Sequence, residues 1–167
     1  MIYYITGGER SGKSSYAQQL AKRLSTAPYY LATSRIWDED FKKRVERHQS
    51  DRDETWTTIE EEKELSKAVP LNSVVVIDCV TLWLTNLYID FDNNVEKSLS
   101  YAKNEIEKLS RLNSDIIIIS NEIGMGVHAQ TLVARKFTEL QGWINQFIAN
   151  KASKATFMVS GLPINLK

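Results

Sequence analysis

Between an apolar run, Met1 to Ile5, and a segment of helical period, Lys13 to Ser25, the chain carries Gly7-Gly8-Glu9-Arg10-Ser11-Gly12-Lys13-Ser14. This sequence, Gly7-x4-Gly12-Lys13-Ser14, satisfies the P-loop pattern in full and sits where the pattern must sit to work, after a strand and at the head of a helix. The glycines let the backbone wrap phosphate oxygens without Cβ clashes, and amide groups at the helix N-terminus point at the anion. In that arrangement Lys13 neutralises the β and γ phosphates and the Ser14 hydroxyl ligates magnesium. Gly7, Gly8, Glu9, Arg10, Ser11, Gly12, Lys13 and Ser14 are therefore the expected phosphate cradle.

Such a cradle needs a sheet behind it. Ile2-Tyr3-Tyr4-Ile5, Tyr29-Tyr30-Leu31-Ala32, Val74-Val75-Val76-Ile77, Ile116-Ile117-Ile118-Ile119 and Thr156-Phe157-Met158-Val159 read as strands. Continuous apolar runs, rather than alternating ones, suit a parallel sheet covered on both faces. Helical period appears over Lys13 to Ser25, Val95 to Leu112 and Gln130 to Asn150. The expected fold is α/β, a RecA-like, mostly parallel sheet with helices on both faces, formed as a single domain over residues 1–167. The charged stretch from Arg35 to Lys67 is the least strand-like and is expected to project from the sheet, and Glu60-Glu61-Glu62 reads as a solvated helix start.

Lys plus Arg equal Asp plus Glu at 21 each, so any anion site must be local, and nucleic acid is not an expected partner. The single cysteine, Cys79, leaves no intrachain disulfide or multi-cysteine zinc site and fits a reducing, cytoplasmic location. The opening run reads as a strand rather than a signal peptide, and no apolar stretch approaches the roughly 18 to 20 residues that span a bilayer.

Asp78 ends the Val74 run, where enzymes of this class place a carboxylate that holds magnesium or its water; it could instead cap the helix that follows. Asn121-Glu122 ends the next strand and should emerge on the same edge, the edge where open α/β sheets bind ligands. Cys79 reads as a small core residue. Arg44, His48 and Arg52 recur at intervals of four, so they share one stripe if Trp37 to Asp51 is helical. Two guanidiniums beside an imidazole favour its neutral form, which makes His48 a candidate nucleophile. Read by itself, a histidine on a charged helix is more often a surface residue.

The ordered blocks Gly7-Gly8-x-Arg10-Ser11-Gly12-Lys13-Ser14, Ala32-Thr33-Ser34, Arg44-x3-His48-x3-Arg52-x3-Trp56-x-Thr58, Asp78-Cys79-x-Thr81-x-Trp83-x-x-Asn86-Leu87 and Asn121-Glu122-x-Gly124-Met125-Gly126 span nearly the whole chain. Ala134-Arg135-x-Phe137, Gly142-x-x-Asn145-Gln146 and Ser160-Gly161-x-Pro163 continue them. Together they resemble the bifunctional adenosylcobinamide kinase/adenosylcobinamide-phosphate guanylyltransferase family. The resemblance implies two reactions. A nucleoside triphosphate, ATP or GTP, phosphorylates adenosylcobinamide; GTP then gives GMP to adenosylcobinamide phosphate through a guanylylated histidine, which by motif position is His48. It further implies Mg2+ held by Ser14 and Asp78, catalytic roles for His48, Lys13 and Asp78, and a homotrimer. Thr33, Ser34, Arg44, Arg52, Glu60 and Asp78 join the cradle as expected nucleotide-binding residues. The chain departs from many relatives at Gln49, at Asp53 and over Val127-His128-Ala129-Gln130. It has no Asn-Lys-x-Asp guanine-reading sequence, so GTP preference rests on the resemblance alone. Trp56, Trp83 and Trp143 could stack on a ligand, although aromatics of this size mostly serve a core or a subunit contact. Two other functions fit the P-loop by itself: a kinase for another small alcohol, needing Lys13 and Asp78 but not His48, and a nucleotide-dependent switch.

Overall fold

The computed structural model describes residues 1–35 and 52–167. Strands β1 (Ile2–Gly7), β2 (Tyr29–Ala32), β3 (Thr57–Glu60), β4 (Val74–Asp78), β5 (Asp115–Asn121), β6 (Lys154–Val159) and β7 (Leu162–Asn165) form one sheet in the order β3-β2-β4-β5-β1-β6-β7. All neighbours pair parallel except β6 and β7, which form an antiparallel hairpin. The helices are α1 (Lys13–Leu24), α2 (Leu65–Ala68), α3 (Val80–Asp90), α4 (Val95–Ser110) and α5 (Leu132–Lys151). Strand β5 stands between the P-loop strand β1 and the acid-bearing strand β4, which is the RecA-like arrangement that the sequence led one to expect.

The apolar runs are continuous because both faces of the sheet are covered. Successive side chains alternate across a strand, so Ile2, Tyr4, Val75, Ile77, Ile116 and Ile118 pack with Trp83, Leu84, Ile106, Ile144 and Ile148 of α3, α4 and α5. Tyr3, Ile5, Tyr30, Val76, Ile117 and Ile119 face the other way, onto Ala17 and Ala21 of α1. Those two alanines are fully buried, and their small size lets α1 lie close on the strands that lead into the site. Helices α4 and α5 begin at side-chain caps: Asn94 Oδ1 accepts from the Lys97 N–H at 2.9 Å and Thr131 Oγ1 from the Ala134 N–H at 3.1 Å. No helix among the described residues is long and apolar enough to cross a membrane.

Two expectations need correction, and one alternative falls away. Thr57–Glu60 does not project with the rest of the Arg35–Lys67 stretch; it extends the sheet as β3, paired with β2, on an edge where exposed Thr and Glu side chains suffice. The acidic run is a turn rather than a helix start. Glu60 ends β3, and Glu61 Oε1 accepts from the N–H groups of Lys63 and Glu64 at 2.8 Å each, so the helix begins only at Leu65. Asp78 does not cap α3, whose N-cap is Cys79 with no side-chain bond. The helix considered over Trp37–Asp51 lies outside the described residues.

Trp83 joins the core to the site. It is fully buried, and its indole N–H donates to the Lys63 carbonyl at 3.0 Å, pinning the turn after β3. Trp83→Ala should cost about 3 to 5 kcal/mol, seen as a lower midpoint of denaturant unfolding with little change in slope; a midpoint close to wild type would show that this packing contributes little.

Candidate functional site

Strands β1, β2, β4 and β5 end at one edge of the sheet, and the chain turns there from β1 into α1. Two glycines make that turn possible. Gly7 has φ +156°, and a Cβ on it would lie 2.5 Å from the Met158 carbonyl oxygen; Gly12 is left-handed at φ +95°, with a Cβ position 3.1 Å from Gly161 Cα. The β6–β7 turn closes on the loop from outside, where the Gly161 N–H donates to the Ser11 carbonyl at 3.0 Å. Ser160 and Gly161 both have positive φ, as a two-residue hairpin turn demands. Because Gly12 offers α1 no side-chain cap, the first amides of the helix are left to an anion.

Lys13 is buried, and its ammonium donates to the Gly8 carbonyl at 2.5 Å, folded back over the loop. Burial holds its pKa below the usual lysine range, while Cys79, Asp78 and Glu9 pull the other way. A cation so placed gains from a phosphate that replaces its lost water.

Asp78, at the end of β4, is the hub of the site. Its Oδ2 accepts from Ser14 Oγ at 2.9 Å and from the Tyr30 hydroxyl at 2.7 Å, tying α1, β2 and β4 together. The Arg52 guanidinium lies over the Tyr30 ring, with Cζ 3.7 Å from the centroid, and its Nη1 is buried without a hydrogen-bond partner among the described residues. Burial, with Asp78 adding to it, raises the Tyr30 pKa well above 10 and keeps the phenol a donor. Cys79 is a core residue: burial, then Asp78, pushes its thiol up to about 12.

A cavity of about 550 Å3 opens over this edge, and Glu9, Arg10, Ser11, Gly12, Lys13, Ser14, Ser34, Arg52 and Asp78 reach its wall. Gly7 and Gly8 shape the turn beneath it. Thr33 is fully buried instead, its hydroxyl donating to the Cys79 carbonyl at 2.8 Å and accepting from the Cys79 N–H at 3.0 Å, so it braces the β4–α3 junction. Asn86 Nδ2 donates to the Thr33 carbonyl at 2.7 Å and the Glu62 carbonyl at 3.2 Å, holding the ends of β2 and β3 side by side. Glu60 is exposed at the end of β3 and does not line the cavity. Arg44 and His48 lie outside the described residues. Asn121 does reach the wall, and Asn145 Nδ2 fixes its carbonyl at 3.1 Å. Trp56 stands edge-on to Tyr30, with ring centroids 6.2 Å apart, whereas Trp83 belongs to the core. Met125 and His128 are exposed on the loop after β5. Sequence reasoning missed Tyr30, because a tyrosine inside an apolar run gives no sign of what its hydroxyl meets.

The model of the cobinamide kinase / cobinamide phosphate guanyltransferase family matches residues 3–166. The chain belongs to that family. It is similar to the bifunctional adenosylcobalamin biosynthesis protein CobP of Pseudomonas aeruginosa, at 37% identity over 98% of this chain and 95% of that protein. It is also similar to the bifunctional adenosylcobalamin biosynthesis protein CobU of Escherichia coli, at 33% identity over the whole of both chains. Among solved structures, the flagellar accessory protein FlaH from Methanocaldococcus jannaschii matches with a TM-score of 0.49 and 14% identity, over 99% of this chain and 77% of that one. Within the family fold, the steric limit at Gly7 is directly testable. Gly7→Ala drives a Cβ against main chain that has no room to give, so nucleotide affinity measured by calorimetry should fall at least about tenfold; wild-type affinity would show that the loop tolerates a side chain there.

Proposed function

We propose that the protein phosphorylates adenosylcobinamide with a nucleoside triphosphate and then transfers GMP from GTP to the resulting phosphate, giving adenosylcobinamide-GDP and pyrophosphate. The observation that carries this reading is the meeting in one cavity of Lys13, the Ser14–Asp78 pair and the Arg52 side chain. Donors arranged this way suit a triphosphate and stabilise charge as it moves onto phosphoryl oxygens. Family membership supports the corrinoid as acceptor.

In the first reaction the substrate hydroxyl attacks the γ-phosphorus while the bond to the β-phosphate oxygen breaks. The loop amides and Lys13 hold the β and γ phosphates in place, which is most of what phosphoryl transfer asks of a protein. The Ser14 hydroxyl and the Asp78 carboxylate are hard oxygen donors 2.9 Å apart, a set that suits Mg2+ when triphosphate oxygens complete its shell. Bound there, Mg2+ would neutralise charge on the phosphates.

In the second reaction His48 attacks the α-phosphorus of GTP, pyrophosphate leaves, and the phosphate of the acceptor takes GMP from the histidine. A phosphoramidate of this kind splits one hard displacement into two easier ones and needs a neutral imidazole, which neighbouring guanidiniums favour. Arg44 and Arg52 stand four residues either side of His48 in the sequence. Arg44, Ser34 and Thr33 complete the proposed nucleotide set, Thr33 acting through the backbone it braces. A homotrimer completes the reading on family likeness alone, and a cytoplasmic location on the single cysteine; sedimentation equilibrium giving a mass other than three chains would remove the trimer.

The test uses purified protein, Mg2+ and GTP labelled at the α or the γ phosphate. Acid-labile label should appear on the protein from the α position only and vanish in His48→Ala, which should still phosphorylate adenosylcobinamide. Lys13→Ala should slow both reactions by about 10²- to 10³-fold. Nucleotide binding with no label from either position would move the assignment to a plain kinase or a switch.

A further inference from the structure

Tyr30 touches both charged partners of the site, and neither contact is explained by packing. Its ring belongs to the core between the sheet and α1, a place that phenylalanine would fill equally well. A hydroxyl there must find an acceptor or lose its hydrogen bonds on burial. It finds Asp78 Oδ2, the same oxygen that accepts from Ser14, at 2.7 Å. Two donors converging on one oxygen fix the carboxylate in rotation and leave Oδ1 as its uncommitted atom, since no hydrogen bond to Oδ1 occurs among the described residues. The outer face of the same ring carries Arg52, with Cζ 3.7 Å from the centroid. A guanidinium held over an aromatic face by cation–π attraction can still offer N–H groups to an oxyanion. Arg52 lines the cavity, and its Nη1 has no hydrogen-bond partner among the described residues. Trp56 meets the Tyr30 ring edge-on at an interplanar angle of 77° and limits its tilt.

We infer that Tyr30 is a positioning residue with two separable jobs: its hydroxyl orients Asp78 for the Mg2+-bound nucleotide, and its ring holds Arg52 against the nucleotide's phosphates. The inference rests on the proposed nucleotide site and goes beyond it, because it makes one side chain set the acid and the cation in register. Two consequences follow. The hydroxyl acts only when metal is present, whereas the ring acts with or without it. Removing the ring and removing the guanidinium should also amount to one loss rather than two.

The experiment is calorimetric titration of the full chain with GDP and with a non-hydrolysable GTP analogue, each in Mg2+ and in EDTA. Thermal unfolding of every variant accompanies it. Tyr30→Phe should bind nucleotide in EDTA within about twofold of wild type and lose about tenfold of the tightening that Mg2+ brings. Tyr30→Leu should lose about tenfold in EDTA as well, to the level of Arg52→Ala, and the double variant should be no weaker than either. Arg52→Lys keeps the charge without the flat stack and leaves the core untouched; it should follow Arg52→Ala, which keeps the ring test valid even if Tyr30→Leu folds poorly. Wild-type Mg2+ dependence in Tyr30→Phe would overturn the hydroxyl's role. Independent, additive losses, or an Arg52→Lys variant that binds like wild type, would overturn the ring's. Wild-type protein that bound no nucleotide at all would bring down the functional reading itself, and this inference with it.

Discussion

The passage from β1 into α1 runs through a space too small for side chains, and the rest of the site takes its position from that passage. At Gly7 the main chain passes the Met158 carbonyl so closely that a methyl group would collide with it, and at Gly12 it adopts a left-handed turn against Gly161. The β6–β7 hairpin supplies the far wall, bonded to Ser11. This explains why a hairpin at the end of the chain bears on a loop near its start. With the loop held between β1 and the hairpin, Lys13 and Ser14 fall on the first turn of α1, within reach of Asp78 one strand beyond β5. Parallel pairing of β1, β4 and β5 brings those ends together without any local sequence signal, since neighbours in the sheet are far apart in the chain.

Electrostatically the edge is built incomplete. A net charge of zero over the whole chain coexists with three cations, Arg10, Lys13 and Arg52, concentrated at one mouth. Asp78 Oδ2 accepts from two hydroxyl donors, but Lys13 has given up solvent for one carbonyl and Arg52 Nη1 has no partner among the described residues. Burying donors without full compensation costs stability. An anion that restores those bonds recovers the cost as binding energy, so the donors that destabilise the free protein are the ones a triphosphate would use. The Arg35 pairs with Glu62 and Asp90 do the opposite work nearby. Hydrogen bonds to Arg35 hold the Asp90 carboxyl down to about 2, so this clasp on the end of β2 keeps its charge over the working pH range.

What could be read from the residues divides by burial. The interior strands announced themselves because Val74 to Ile77 and Ile116 to Ile119 are covered on both faces and must be apolar throughout. The edge strands did not. Thr57–Glu60 needs apolar character only at Ile59, and Leu162–Asn165 is exposed along its length and contains Pro163, tolerable only at an edge. Helix α3 escaped for the opposite reason: Val80, Trp83, Leu84, Asn86, Leu87 and Tyr88 are buried, so it shows no polar stripe to betray a period of 3.6. At the site, the P-loop and Asp78 were legible because their chemistry depends on order along the chain. Tyr30 and the bracing roles of Thr33, Asn86 and Asn145 depend on which strands become neighbours, and that emerges only from the assembled sheet.

The size of the cavity bears on how two reactions share it. About 550 Å3 lies within the usual range for one small ligand. Under the proposed function, then, the cavity suits one nucleotide at a time. The kinase step must expose the γ-phosphorus and the guanylyl step the α-phosphorus, and the P-loop holds the same phosphates in both. The choice between them therefore falls to groups outside the P-loop, and Arg52 on its Tyr30 platform is the described cation placed to make it. It enters the cavity from the far end of the sequence block that carries His48, while Lys13 enters from α1. Under the proposed function, a loop built for triphosphates in general acquires a second reaction through residues that lie between β2 and β3 in the sequence, without altering the cradle.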